Sequence, residues 1–252
     1  MSTFSIIIPA YQQVSLLRRA LDSVLQQEGI DFEVIVTDDS INDEIQSYVK
    51  SLHHPAIRYY RHTSHGNPIK NWNFGLGMAE GQYIILMHHD EAMVSQHYLK
   101  NVFHEITQRD IVISDVEVAV NDKRRRRMVN VWAKRLICRH PILLFIQNVI
   151  GPTACITFKR ENMQMFNPEL KWLVDVEWYY RMLKGAHISH SGECKIQSIH
   201  GHADQITTKL EVLQSFRQDK TIIDNLYGKR IRMALWLYEH LILGTKQLIG
   251  KI

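Results

Sequence analysis

A chain of 252 residues, 45% hydrophobic and 22% charged, is long enough for one large buried core or two small ones. No run approaches the roughly 20 apolar residues that cross a bilayer, and the start MSTFSIIIPAY lacks the charged region and cleavage site of a secretion signal. The net charge of +4 conceals an asymmetry, for residues 1–122 hold 8 Lys/Arg against 16 Asp/Glu and residues 123–252 hold 22 against 10. With three widely separated cysteines, Cys138, Cys155 and Cys194, that fit neither a disulfide framework nor a metal site, the expectation is a cytoplasmic protein whose second half meets something anionic.

Residues 4–9 (FSIIIP) form a continuous apolar strand ended by a proline, which has no N–H to extend the ladder. Leu16, Leu17, Ala20, Leu21, Val24 and Leu25 then recur at helical spacing. Residues 32–37 (FEVIVT) are a second strand running into Asp38, Asp39 and Ser40. Strand, helix and strand at this spacing make a βαβ unit, whose strands are parallel and end on one edge of the sheet. A weaker helix follows over 41–52, a third strand over 57–60, and a helix over 71–79 that Gly75 and Gly77 weaken.

The stretch GQYIILMHHDE, residues 81–91, organises this half: a short buried strand, 83–87, delivers His88, His89, Asp90 and Glu91 at its C-terminal end. In open α/β sheets ligands bind outside the carboxyl ends of the strands. A polar turn after a strand is the plainer use of the same four residues. A helix over 96–108 and a strand over 111–120 complete a doubly wound, mostly parallel sheet.

From residue 123 the character changes. KRRRR, residues 123–127, is followed by Lys134, Arg135 and Arg139, eight basic residues within 17 positions. An apolar segment over 141–151 is too short to span a membrane. A strand over 153–158, a helix over 174–183, short strands over 187–199 and closing helices over 209–225 and 229–248 are expected. Nucleic acid is set aside as a partner, because no stacking aromatics are interleaved with the basic residues and no recognition module is present.

Three features in order, FSIIIPAY, EVIVTDDS and AEGQYIILMHHDE, resemble the family 2 glycosyltransferases of the GT-A fold, with its PxY/N, DD(G)S and AxGxYIxxLDxDD motifs. The likeness is strong over residues 4–115 and looser through GPTACITFKRE, LVDVEWYYR and HADQITT. It implies one GT-A domain with a nucleotide-sugar half at 1–122, an acceptor half at 123–208 and closing helices at 209–252. It implies an inverting transfer from a nucleotide-diphosphate sugar, a UDP-sugar by preference, to a glycan or polyprenyl-diphosphate-linked acceptor in bacterial surface polysaccharide, O-antigen or capsule assembly.

The same resemblance assigns residues. Pro9, Ala10 and Tyr11 match the loop against the nucleotide, Asp38 and Asp39 the acids at the second strand end, and Lys70 a contact to the diphosphate. Asp39 has helix capping as its alternative use, and Lys70 a solvated surface position. Asp90 matches the second acid of the metal-binding DxD, while His88 stands where the first acid belongs, which suits manganese better than magnesium. His202, in HxxQxT, is a third metal candidate or a structural histidine. Asp175 matches the acidic position that supplies the catalytic base, with Val174 replacing the usual preceding acid and Glu177 as the reserve; capping of its helix is the alternative. A non-catalytic nucleotide-sugar-binding scaffold with a degenerate DxD is the rival function. A nucleotidyltransferase is disfavoured, since PAYQQVS lacks a Gly-rich basic loop. In the second half, Trp236 and Leu237 beside Lys229, Arg230 and Arg232 fit either a helix lying on an anionic membrane, at the inner face of the cytoplasmic membrane, or a core helix with a basic exterior.

Overall fold

The computed structural model describes residues 2–120, 123–126, 131–200 and 211–243. The chain divides into two compact units: Met1–Met128, Ile150–Met165 and Ala186–Gly201 form the first, and Val129–Val149, Phe166–Gly185 and His202–Ile252 the second.

The first unit is built on a mixed sheet. Strands β1 (Phe4–Ala10), β2 (Phe32–Asp38), β3 (Ile57–Arg61) and β4 (Tyr83–Leu86) are mutually parallel, in the order β3-β2-β1-β4. Every residue of β1 is buried, which explains why all but Ser5 are apolar: a central strand in a covered sheet has no solvent face to make polar, and the Ser5 hydroxyl is satisfied by Glu33. Helices α1 (Val14–Leu25), α2 (Glu44–Leu52), α3 (Pro68–Gly77) and α4 (Tyr98–Ile106) accompany these strands. α1 turns Leu17, Ala20, Leu21 and Val24 inward, the stripe its spacing predicts.

Beyond β4 the sheet departs from the parallel pattern. β5 (Glu91–Met93), β6 (Ile111–Val120), β7 (Lys123–Arg126), β8 (Ile156–Lys159) and β9 (Ile188–His200) extend the order to β4-β8-β6-β9-β5, with β7 paired to β6. β8 lies antiparallel between β4 and β6, and β9 runs parallel to β6 over its whole length. The strand expected over 153–158 is a 3-10 turn, Thr153–Cys155, followed by β8. The short strands expected over 187–199 are one strand, with residues 192–194 looped out where the register shifts opposite Ser114 and Asp115. The basic run after residue 122 enters the sheet as β7, which pairs antiparallel with β6.

Two glycines that weaken local propensity are explained by close approach. A Cβ on Gly75 would stand 2.5 Å from Ile7 Cγ2, so α3 sits on the sheet only because that side chain is missing. At Gly81 a Cβ would meet the backbone of Phe4 and Ser5 at 2.6 Å, where the chain turns into β4. The same corner is fastened by Glu33 of β2, which accepts hydrogen bonds from Ser5 Oγ (2.6 Å), Arg58 (2.7 Å) and the amides of Glu80 (2.8 Å) and Gly81 (3.2 Å). Burial alone would raise its pKa; the bonds from Ser5, Arg58 and Glu80 outweigh that and hold the carboxyl below its ordinary value.

The second unit is helical. α5 (Val131–Arg139), a 3-10 helix at Pro141–Phe145, α6 (Val174–Leu183), α7 (Val212–Tyr227) and α8 (Lys229–Tyr238) enclose Phe145, Phe166, Trp178, Tyr179, Phe216, Ile223 and Leu235. Phe166 stacks on Trp178 with centroids 4.5 Å apart. α8 gives way to a π-helical turn at Glu239–Leu243, shorter than the 229–248 helix the sequence suggests; residues 244–248 lie outside the described residues. The end of α7 meets α6 through Tyr227, whose ring lies edge-on to Tyr180 at 5.2 Å.

Candidate functional site

The parallel strands β2, β1 and β4 all end on one edge, and their terminal loops are bonded to one another. Pro9 and Ala10 close β1 opposite Thr37 and Asp38. The Asp39 amide donates to the Ala10 carbonyl (3.1 Å), and the Gln12 amide to Ser40 Oγ (2.7 Å). Gln12 holds a φ of 57°, an uncommon left-handed geometry for a non-glycine residue in the loop that begins with Tyr11. A backbone in that geometry persists where its surroundings over-determine it.

The two acids after β2 have different neighbours. Asp38 is fully buried and accepts from Tyr59 Oη (2.7 Å), Arg61 (3.0 Å) and the Ser40 amide (2.8 Å). Asp39 is half-buried and takes the amide (2.7 Å) and hydroxyl of Ser64 from the loop after β3. Asp38 therefore braces the sheet end, and Asp39 stands at its rim. Lys70 is exposed on the first turn of α3, which Asn67 caps by accepting from the Ile69 amide.

At the end of β4 the chain makes one tight turn and enters β5. His88 donates its amide to Glu91 Oε2 (2.9 Å), and its Nδ1 lies 3.5 Å from Glu91 Oε1. The imidazole rests against Trp72 of α3, 4.6 Å between centroids. His89 Nδ1 reaches the Pro9 carbonyl (3.2 Å), which ties this turn to the end of β1. The Asp90 carbonyl accepts from the Ile199 amide of β9 (2.9 Å).

Side-chain ligand atoms of His88, Asp90 and Glu91 lie within 4.8 Å of one another. Glu91 is 3% exposed, and burial pushes its carboxyl above the ordinary range against the pull of His88. A buried carboxylate beside an imidazole and a second carboxylate is a donor set for a divalent cation, in which a metal would hold the acid ionised. The structure thus joins His88 and Asp90, as the motif suggests, and adds Glu91. The signal for Glu91 was in the motif, since it stands at the last acid of LDxDD, but its burial follows from β5 pairing with β9. His202 lies outside the described residues.

Asp175 belongs to the second unit, half-buried on the first turn of α6. Glu177, the reserve base, has both oxygens engaged: Arg181 donates Nε to Oε1 (2.6 Å) and Nη2 to Oε2 (2.9 Å), and Tyr227 Oη donates to Oε1. A carboxylate so held ties α6 to the end of α7. The chain entering α6 is fixed by Asp219 of α7, which is fully buried and accepts from the successive amides of Lys171 (3.0 Å), Trp172 (2.7 Å) and Leu173 (2.7 Å). Asp219 had no sequence signal, because its partners lie nearly fifty residues away.

The family model "Glycosyl transferase family 2" matches residues 5–166. A GalNAc(5)-diNAcBac-PP-undecaprenol beta-1,3-glucosyltransferase of Campylobacter jejuni is 31% identical over 98 residues, 38% of this chain and 32% of that protein. A putative colanic acid biosynthesis glycosyl transferase, WcaA of Escherichia coli, is 24% identical over 184 residues, 71% of this chain and 65% of that one. This chain thus spans less than two thirds of the length of either of these relatives. Among solved structures, Staphylococcus aureus TarS 1-349 in complex with UDP-GlcNAc superposes with a TM-score of 0.70 at 18% identity, over 94% of this chain and 71% of that one. The mannosyltransferase PcManGT of Pyrobaculum calidifontis, in complex with GDP-Man and Mn2+, gives 0.66 at 16% identity, over 96% and 70%. The fold is that of the GT-A glycosyltransferases.

Proposed function

The chain belongs to glycosyl transferase family 2, and we propose that it moves a glycosyl residue from a nucleotide-diphosphate sugar to an acceptor hydroxyl with inversion at the anomeric carbon. The observation that carries this reading is the cluster of His88, Asp90 and Glu91 on the sheet edge where β1 and β2 also end. That edge is where α/β sheets bind nucleotides.

In this reading Pro9, Ala10 and Tyr11 frame base and ribose, Asp39 accepts a hydrogen bond from the base at the rim, and Asp38 holds the strand end that carries it. Lys70 meets the diphosphate as a point charge. His88, Asp90 and Glu91 would hold a divalent cation, with His202 as a further candidate, and the imidazole favours manganese over magnesium. Bound there, the cation supplies positive charge against the departing diphosphate. Asp175 accepts the proton of the acceptor hydroxyl as that oxygen attacks C1 from the face opposite the diphosphate. Loss of the proton and formation of the new C1–O bond accompany departure of the nucleoside diphosphate.

A UDP-sugar donor is favoured, as in the TarS complex, with a GDP-sugar as the alternative. The acceptor is a glycan or a polyprenyl-diphosphate-linked sugar in bacterial surface polysaccharide assembly, a class supported by the Campylobacter and Escherichia relatives. A second reading, a nucleotide-sugar-binding scaffold without turnover, is favoured by His88 in the place of the first acid. Titration calorimetry with UDP, GDP, dTDP and CMP, with and without manganese, separates them in combination with donor turnover. Manganese-enhanced binding of one diphosphate and release of it from the sugar donor, both lost in Asp90→Ala, supports transfer. Binding without turnover supports the scaffold, and no binding by folded protein overturns the assigned site.

A further inference from the structure

Two helices of the second unit carry outward the residues that a water-facing helix ordinarily turns inward. On α5 the exposed stripe is Trp132, Arg135, Leu136 and Arg139, at the three- and four-residue spacings of one helix face, while Lys134 is buried. Trp132 is 76% and Leu136 54% exposed, and the Arg135 guanidinium lies over the Trp132 ring, 5.8 Å from its centroid. On α8 the exposed stripe is Lys229, Met233 and Trp236, with Arg230 and Arg232 alongside and His240 and Leu241 on the π-helical turn that follows. α8 already buries Ile231, Ala234 and Leu235, so its Met and Trp serve no core. Both helices pack against the 3-10 helix Pro141–Phe145.

Among the described residues, six of the nine large hydrophobics that are exposed belong to this unit: Trp132, Leu136, Leu226, Met233, Trp236 and Leu241. Apolar side chains scattered singly are ordinary; a repeated pairing of Trp, Leu or Met with Arg or Lys is not. Trp, Met and Arg are also common at protein interfaces, whereas Lys is depleted there. A bilayer surface takes both cations, with indole rings at the headgroup level and Lys or Arg against anionic phosphates beside them, and Lys229, Arg230 and Arg232 are all exposed on α8. Neither helix is long and apolar enough to cross a membrane, and no other described helix is.

We infer that the exposed faces of α5 and α8 dock the protein on an anionic phospholipid bilayer, the Trp, Leu and Met side chains entering the headgroup boundary and Arg135, Arg139, Lys229 and Arg230 meeting lipid phosphate. The inference is drawn from the second unit alone and stands whether or not sugar transfer is the reaction.

Co-sedimentation of the full chain with vesicles of phosphatidylcholine, alone or mixed with phosphatidylglycerol, tests it. The expected result is binding to the anionic vesicles only, reversed by high salt, and weakened about tenfold in Trp132→Ala/Trp236→Ala by loss of buried apolar area. Arg135→Gln/Arg230→Gln should weaken it about fivefold for each cation removed. All four side chains are exposed, so the variants keep the melting temperature and the nucleotide binding of the parent. Failure to bind anionic vesicles, equal binding to both vesicle types, or binding indifferent to both pairs of substitutions overturns the inference. So does a concentration-dependent dimer in sedimentation velocity that the Trp pair abolishes, which would assign the surface to a second copy of the chain.

Discussion

The two units treat charge and apolar surface in opposite ways. At the strand ends of the first unit, acids are drawn into the protein and saturated: Glu33 takes four hydrogen bonds, Asp38 takes three, and Glu91 is 3% exposed beside His88. On α5 and α8 of the second unit, cations and indoles stand together in solvent. The first pattern costs desolvation and produces fixed geometry, which a metal or nucleotide site requires. The second leaves apolar area exposed, which folding alone does not favour.

Substitutions should break this contrast in a graded order. Asp90→Ala removes a carboxylate from the cation cluster without touching the core, and manganese-dependent nucleotide binding should fall by about 100-fold, read by calorimetry, with little change in melting temperature. Asp219→Ala leaves three amides ahead of α6, one of them buried, without their acceptor, and denaturant unfolding should report a loss of about 2 kcal/mol. If α6 carries the base, sugar-donor turnover to acceptor should fall further than nucleotide binding does.

Glu33→Gln leaves Arg58 and two amides short of an anionic partner and should cost about 2 kcal/mol at neutral pH. The pH dependence has a definite sign. The folded pKa of Glu33 is lowered, so its contribution is full above the unfolded value of 4.5 and is lost as pH falls through the folded value. The gap in stability between parent and Glu33→Gln, followed by chemical denaturation, should therefore narrow as pH drops below 4.5. At the other end, Trp132→Ala should change stability by no more than about 0.5 kcal/mol, since an indole 76% exposed supports no core. A loss of several times that would mean α5 packs through Trp132 and would remove the contrast.

Much of this architecture was legible along the chain. Residues 4–9, 32–37 and 174–183 reveal their elements because a covered strand needs an unbroken apolar run and a packed helix needs a stripe, both local consequences of burial. The motifs also marked the edge where His88 and Asp90 meet, since a strand's direction fixes which end its last residues occupy. Tertiary structure decided the rest. Which of two adjacent acids braces the sheet and which faces its rim depended on Tyr59, Arg61 and Ser64, supplied by β3 and the loop after it. The burial of Glu91 depended on β9, more than a hundred residues later, pairing with β5. The partners of Glu177 included Tyr227, fifty residues later on α7. Local sequence determines what a segment is able to form, because propensity and period act over a few residues; the protonation, burial and partners of a side chain are set by whichever distant segment folds against it.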